Sequence, residues 1–201
     1  MSEPITARQF HEAVGVEDWR VVAGGAGASF RTGSFAAGAR FVQAISEVAG
    51  LDDHHPDLDV QPGRVHVWLN TITDDYYGLT TRAVEVAQQI STAARKLGVH
   101  SDPSAVQSLV IPIDALVIPE VLPFWRAVLG YRLRADTPDM ELNDPHHRWP
   151  IVCFGQMDAP RAQRNRIHID VWVPHDQAEA RVAAAIAAGG RLVTDEYAPG
   201  W

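Results

Sequence analysis

Apolar residues recur at helical spacing in three stretches of the first half of the chain. Thr6 is a favoured N-cap residue and predicts a short helix that runs to about Val14. From Ser34 the apolar positions repeat every three or four residues until Gly50, which is a natural helix stop. The same spacing returns after Thr80 and continues to Leu97. The pattern therefore predicts three helices in this half.

Short extended segments lie between these helices. The predicted strands are Trp19–Val22, Ala28–Thr32 and Arg64–Thr71. A glycine-rich turn at Gly24–Gly27 joins the first two strands, and Pro62-Gly63 forms the turn before the third. The order of elements in residues 1–98 is helix, two strands, helix, two strands, helix. This αββαββα order predicts an antiparallel sheet that carries the helices on one face.

The pattern begins again after a predicted linker at residues 99–105. Pro119–Leu129 reads as a helix that Gly130 ends, and Asp176 is expected to cap an alanine-rich helix through Ala188. Extended segments are predicted at Ser108–Ile113, Tyr131–Ala135, Ile151–Gln156, Ile167–Val173 and Arg191–Thr194. The weak repetition predicts a second domain at residues 106–201, built from a duplicated unit, so the fold class is α+β.

Composition and charge narrow the class of protein. The chain has 201 residues, of which 46% are hydrophobic, so it can bury two cores. Its net charge is −8 and no cluster of basic residues offers a phosphate-binding face, so we expect no nucleic-acid partner. Cys153 is the single cysteine and is expected in a buried strand, which suits a reducing cytoplasm. No apolar run approaches ~18 residues, so we expect no membrane partner.

The segment Asp53-His54-His55-Pro56 carries the strongest sign of chemistry. Its two adjacent imidazoles titrate near neutral pH, and the proline behind them stiffens the backbone. Neighbouring side chains in an extended segment point to opposite faces, so one histidine can face a pocket while the protein holds the other. His66 alternates with two valines and is interpreted as structural. The remaining histidines have no evident cluster around them and are expected to be solvated: His11, His100, His146, His147 and His175.

Residues 5–98 resemble pterin-4a-carbinolamine dehydratase. The resemblance rests on Trp19, the Phe30/Phe35 region, His54-His55-Pro56, the strand Arg64–Thr71 and Gly78-Leu79-Thr80. It implies dehydration of a 4a-hydroxytetrahydropterin to the quinonoid dihydropterin, with a pterin as the small-molecule partner and no cofactor required. By the same resemblance His54 is the principal acid/base and His55 positions the pterin. The expected substrate-binding residues are Asp53, Pro56, Asn70 and Thr71.

The sequence departs from that family's pattern at several positions. A third histidine is expected after the strand, where this chain has Thr71-Ile72, and isoleucine cannot move protons. The loop Asp74–Tyr77 is about two residues longer than usual, and Gly50 and Ala83 stand where the family has acidic residues. A catalytically degenerate protein that binds a pterin or another small molecule therefore remains an alternative.

Residues 106–201 resemble glyoxalase-like members of the vicinal oxygen chelate superfamily. The resemblance rests on Ile113-Asp114, the segment Phe124–Tyr131 and the segment Arg164–Val171. It implies two βαβββ units, with a closing strand missing at the end of this sequence, and a divalent metal held by Gln107, Gln156 and His168. Two amides and one imidazole form a poor site for a divalent ion. A metal-dependent glyoxalase or dioxygenase-type enzyme is a further alternative.

The dehydratase resemblance also implies self-association. Relatives of this kind assemble through sheet edges and helices, and an unpaired edge strand favours a partner. We therefore expect a homo-oligomer.

Overall fold

The first half of the chain has the three predicted helices and the two predicted strands between the first and second of them, but it has a strand before the first helix and four strands, not two, between the second and third helices. The computed structural model describes residues 2–48, 55–73, 75–160, 170–187 and 192. The helices of this half are α1 (Ala7–Glu12), α2 (Phe35–Ser46) and α3 (Thr81–Lys96). Its strands are β1 (Pro4–Ile5), β2 (Trp19–Val22), β3 (Gly25–Arg31), β4 (Asp57–Gln61), β5 (Arg64–Leu69), β6 (Thr71–Ile72), β7 (Tyr77–Thr80) and β8 (His100–Ser101).

The main sheet of the first domain is antiparallel and has two different faces. Strands β2, β3, β5 and β4 lie side by side in that order, and β8 pairs with the end of β3. Along β5, Val65, Val67 and Leu69 are buried while His66 and Trp68 are only half-buried. The buried face packs against the helices, as the alternation predicts. His66 therefore lies on the opposite face from its two valine neighbours, as expected.

Local signals explain several of these elements. The hydroxyl of Thr6 accepts from the backbone of Gln9 and the Gln9 side chain returns to the backbone of Thr6, which forms a capping box. In the core, the indole Nε1 of Trp19 donates to the hydroxyl of Ser91 at 3.0 Å. Both side chains are fully buried, so this bond satisfies two polar groups that water cannot reach.

Of the glycine-rich segment predicted as a turn, only Gly24 lies in the turn, and Gly25–Gly27 belong to a strand. The turn between β2 and β3 consists of Ala23 and Gly24, whose φ values are 45° and 81°. Two consecutive left-handed residues match the twist of a two-residue hairpin. Strand β3 consequently begins at Gly25, three residues before the predicted start at Ala28.

The predicted linker at residues 99–105 is also structured. Strand β8 extends the sheet, and a short 3-10 helix follows at Pro103–Ala105. The backbone nitrogen of Asp102 donates to the carbonyl of Ser29 at 2.7 Å. The Asp102 carboxylate also forms ion pairs with Arg31 at 2.8 Å and Arg64 at 3.0 Å. These contacts attach the segment to the first domain.

The second half contains one complete βαβββ unit and the beginning of another. The complete unit consists of β9 (Ser108–Ala115), α4 (Ile118–Leu129), β10 (Arg132–Leu133), β11 (Glu141–Asn143) and β12 (Ile151–Gln156). Strand β13 (Asp170–Trp172) and helix α5 (Ala178–Ala187) begin the next unit. The sheet order is β10-β11-β12-β9-β13, in which only the β9–β12 pair is parallel among the described strands.

The predicted boundaries of this domain are partly correct. Helix α4 ends at Gly130, which has the left-handed φ of 66°, as its position predicts. Strand β10 is shorter than predicted, β11 was not predicted, and Cys153 lies half-buried in β12. Of the predicted strand Ile167–Val173, residues 170–172 form β13 and residues 167–169 lie outside the described residues, as does most of the predicted strand Arg191–Thr194.

Contacts between the two domains correct three expectations. The Asp176 carboxylate does not cap α5, which begins at Ala178, because it forms an ion pair with Arg20 of β2 at 2.9 Å. The rings of His11 and His175 meet edge to face with centroids 5.2 Å apart, so these two histidines are not simply solvated. Burial lowers the pKa of His11, and electrostatic interactions with His175 and Arg20 lower it further.

Among the described residues, no helix is both long and apolar enough to cross a membrane.

Candidate active site between the two domains

A cavity of about 340 Å³ lies between the two domains, and both contribute side chains to it. The first domain supplies its sheet surface and the second supplies the loop between β11 and β12. The residues that matter for its chemistry are Asp57, Trp68, Asn70, Tyr77, Asn143, Asp144, His147, Arg148 and Trp149. Aromatic faces, an amide and charged groups of both signs therefore surround one space.

The register of β4 and β5 sets the first wall of the cavity. Asp57 pairs with Trp68 across the two strands, so their side chains share the face that points away from the helices. Asn70 follows β5 directly and has the same parity as Trp68. The alternation that buries Val67 and Leu69 thus directs Trp68 and Asn70 toward the second domain.

Two glycines of β3 form the surface on which the Trp68 indole lies. A Cβ atom at Gly25 would stand 2.5 Å from the indole ring, and one at Gly27 would stand 3.1 Å from it. The Gly27 position would also meet the Cγ1 atom of Val106 at 2.8 Å. The glycines therefore allow the flat indole to cross a neighbouring strand at contact distance.

The opposite wall is a loop organised by Asp144. This carboxylate is buried and accepts hydrogen bonds from the backbone nitrogens of His146, Arg148 and Trp149 at 2.9, 2.9 and 3.2 Å. Burial alone would raise the pKa of Asp144, but these donors outweigh burial and the pKa lies below its ordinary value. The loop conformation is therefore fixed from within by one negative charge.

His147 connects the two walls. Its Nδ1 atom lies 2.8 Å from the Oδ2 atom of Asp57, across the domain boundary. The hydrogen bond to Asp57 raises the pKa of His147 above its ordinary value, although burial acts in the opposite direction. His147 is exposed, as expected, but it does have a partner, which sequence neighbours could not indicate because it lies 90 residues away in the sequence.

Tyr77 closes one side of the cavity. The Arg134 guanidinium carbon lies 4.0 Å above the centre of its ring, and Asp136 and Glu141 hold that guanidinium by ion pairs. Burial raises the pKa of Tyr77, and a hydrogen bond with Asn70 partly opposes this. The tyrosine is thus fixed by groups of both domains.

The residues predicted from the dehydratase resemblance have different positions. Asn70 lines the cavity, whereas the Thr71 hydroxyl lies 3.2 Å from that of Thr80. His55 is exposed and Pro56 is half-buried, directly before β4. Asp53 and His54 lie outside the described residues.

The residues predicted to hold a metal do not come together. Gln156 pairs with Ala115, eight residues beyond Gln107, and at ~3.3 Å per residue this separates the two glutamines by roughly 25 Å. The amide nitrogen of Gln156 donates to the carbonyls of Leu116 and Met157, and the Gln107 oxygen accepts from Arg181. One ion cannot bind both glutamines, so this part of the predicted set was wrong. His168 lies outside the described residues.

Within the described residues, no group of three histidine, cysteine or acidic side chains is arranged to hold a metal ion. The donors present here do not fit the divalent metal that the glyoxalase-like resemblance implies.

Of the nine cavity residues named above, the sequence predicted only Asn70 as a site residue, and the other eight were missed. The alternation of Arg64–Thr71 contained a usable signal, because it places Trp68 on the same side as Asn70. No local pattern indicated His147, since its neighbours come from another domain.

Comparison with known proteins assigns the two halves to different families. The profile of the family described as Pterin 4 alpha carbinolamine dehydratase matches residues 3–93, and that of the Glyoxalase-like domain matches residues 110–201. The two halves of the chain are thus similar to two different families.

Two curated relatives match the first domain. A protein of Metallosphaera sedula named "Putative pterin-4-alpha-carbinolamine dehydratase" is 36% identical over 76 residues, which are 38% of this chain and 77% of that protein. A protein of Acidobacterium capsulatum with the same name is 41% identical over 56 residues, 28% of this chain and 59% of that protein. The chain belongs to the pterin-4-alpha-carbinolamine dehydratase family, a family of hydro-lyases, and its second half is similar to the Glyoxalase-like domain.

Proposed function

We propose that this protein dehydrates a 4a-hydroxytetrahydropterin to the quinonoid dihydropterin by histidine acid/base catalysis in the cavity between its domains. The observation that carries the proposal is the position of Asn70, a residue expected to bind the pterin, in the wall of that cavity. Membership of the dehydratase family supports the reaction class.

The geometry of β4 supports a role for His55. Asp57 lines the cavity, and His55 precedes it by two residues. Side chains two residues apart in an extended chain point to the same side, so a continued strand direction brings His55 toward Asn70, at the cavity edge. The alternation does not extend to His54; from the dehydratase resemblance we propose His54 as the principal acid/base and His55 as the group that positions the pterin.

The reaction needs two proton transfers and no redox step. The C4a–O bond breaks while an acid protonates the departing hydroxyl group, which leaves as water. A base removes the proton from N5, and the electron pair of that N–H bond forms the new C=N double bond. An imidazole with the ordinary histidine pKa of ~6.5 can either donate or accept a proton at neutral pH. We therefore propose that no metal or organic cofactor is required.

The remaining lining groups suit a flat, polar bicyclic molecule. Trp68 and Trp149 offer aromatic faces, and Asn70 and Asn143 offer both donors and acceptors. Such a combination favours planar heterocycles with hydrogen-bonding edges.

The direct test follows the dehydration of a 4a-hydroxytetrahydropterin generated in the assay, in a buffer that contains a metal chelator. The full chain should accelerate the reaction over buffer, and His54→Ala should reduce kcat by about 10²–10⁴-fold, because one positioned acid/base contributes that much. His100→Ala, at an exposed position outside the cavity lining, is the matched control and should retain the activity. No acceleration by the unmodified chain would contradict the proposal.

One observation favours a second candidate, a pterin-binding protein without catalysis. Ile72 occupies the position where the dehydratase pattern has a third histidine, and it lines a neighbouring crevice between the domains. Calorimetric binding of a reduced-pterin analogue without turnover would identify this case.

We further propose that the protein works as a homo-oligomer in a reducing compartment such as the cytoplasm. In the described part of the sheet, β4 pairs only with β5 and so offers a free edge. The reduced substrate and the single cysteine suit a reducing environment. Sedimentation that shows only a 22.0 kDa monomer would contradict the self-association.

A further inference from the structure

The loop of the second domain holds His147 in a specific and unusual conformation. Its φ of 53° lies in the left-handed region, which residues other than glycine seldom adopt. The neighbouring backbone is fixed by the three hydrogen bonds to the buried Asp144 carboxylate. A strained residue persists only where its surroundings hold it, and such positions concentrate at functional sites.

The side chain of His147 reaches the first domain at the cavity wall. Asp57 engages its Nδ1 atom at 2.8 Å, and both residues line the same cavity as Trp68 and Asn70. A carboxylate on one ring nitrogen fixes the tautomer and orientation of an imidazole, and the Nε2 atom then serves a ligand. This arrangement resembles an oriented acid/base group more than a simple contact between domains.

We propose that the glyoxalase-like domain completes the site, and that His147, oriented by Asp57, is the acid that protonates the departing hydroxyl group of the bound pterin. The inference rests on the proposed function and extends it, because it assigns a catalytic residue to the second domain. The imidazolium gives its proton as the C4a–O bond breaks, and water leaves. A histidine of the first domain takes the N5 proton, and exchange with solvent restores both groups.

The charges around His147 favour the protonated ring. Asp57 of β4 contacts it directly, and Asp144 lies on its own loop. The other charged or titratable groups that line the two cavities beside it are Tyr76, Tyr77, Arg132, Arg134, Asp136 and Arg148. Asp57 has the largest effect and holds the proton on His147 into a higher pH range than a free imidazole allows.

The test compares His147→Gln with His146→Gln in the full chain. His146 is the neighbouring exposed histidine of the same loop and is the matched control. We expect His147→Gln to lower kcat by about 10²–10⁴-fold with a small change in KM, and His146→Gln to keep both. The pH profile of kcat should fall at alkaline pH in the unmodified chain as His147 loses its proton, and His147→Gln should lack this fall.

Asp57→Asn provides an independent second variant. It removes the charge that raises the pKa of His147, so the alkaline fall of kcat should move to lower pH. Circular dichroism verifies that each variant is folded.

The outcomes separate the inference from the proposed function. His147→Gln with kcat within twofold of the unmodified chain and an unchanged alkaline fall overturns the role of His147, while the dehydratase activity stands. Absence of activity in the unmodified chain overturns both. Loss of thermal stability in His147→Gln without any change in the pH profile identifies a merely structural contact and also overturns the inference.

Discussion

At the scale of single residues, the absence of a side chain is what shapes the cavity wall. Trp68 lies over Gly25 and Gly27 because neither strand position carries a Cβ atom. The indole position, and with it the cavity surface, therefore depends on two residues that do not themselves line the cavity.

Gly25→Ala should destabilise the protein by about 1–3 kcal/mol, because the new methyl group would stand 2.5 Å from the Trp68 ring and force it to move. Gly63→Ala is the matched control, since its Cβ would meet nothing within 4 Å. Urea unfolding of the two variants measures the difference. Equal free energies of unfolding for Gly25→Ala and Gly63→Ala would show that Trp68 has room to move.

The sequence contained part of this site. The alternation in Arg64–Thr71 predicts that Trp68 and Asn70 share a face, and the resemblance to the dehydratases pointed to Asn70. It could not reveal the contact of His147 with Asp57, because each residue by itself reads as a solvated surface group. It also misread Gly25–Gly27, since the need for a flat surface under Trp68 arises only when two strands pair.

At the scale of elements, Asp102 attaches strand β8 and the following segment to the main sheet. Its carboxylate accepts from Ser104, Arg31 and Arg64, and these contacts hold the pKa of Asp102 well below its usual range. Helix ends such as Thr6 and Gly130 were predictable because their signals are local. The role of Asp102 was not, since its arginine partners lie 71 and 38 residues away.

Asp102→Asn should lower the free energy of unfolding by about 2 kcal/mol at neutral pH, because two guanidinium groups lose a charged acceptor. A carboxyl with a depressed pKa stabilises the fold above its unfolded value of ~3.9 and loses this contribution as the pH falls through the folded value. The difference between the two chains should therefore shrink below about pH 4. Asp139→Asn, at an exposed position, is the control. Chemical unfolding at several pH values measures the free energy of unfolding of each chain. A difference between Asp102→Asn and the unmodified chain that does not depend on pH would argue against the charge effect.

At the scale of the whole molecule, the two domains contact each other through histidines whose pKa values are shifted in opposite directions. The His147–Asp57 pair strengthens when the imidazole is protonated, whereas His11 beside His175 favours the neutral form. The resemblance of each half to a separate family predicted two domains. Nothing in either half predicted how they contact each other, because docking depends on side chains that are polar and exposed in the isolated domains.

The His147–Asp57 pair between the two domains should affect the midpoint temperature of thermal unfolding in a pH-dependent way. A histidine with a raised pKa contributes its full stabilisation below the unfolded value of ~6.5 and loses it as the pH rises through the folded value. The midpoint difference between the unmodified chain and Asp57→Asn should therefore be larger at about pH 5.5 than at about pH 8.5. Differential scanning calorimetry measures it, and the reverse order would contradict the assigned pair.

A cavity whose walls belong to separate halves has a thermodynamic consequence. A molecule that occupies it touches both halves, so its affinity includes the free energy of holding them together. By thermodynamic linkage, a change that weakens the contact between the domains lowers the affinity for the bound molecule by the same free energy. Binding of that molecule in turn stabilises the contact between the domains. Ligand binding and the association of the two domains are therefore coupled equilibria in this protein.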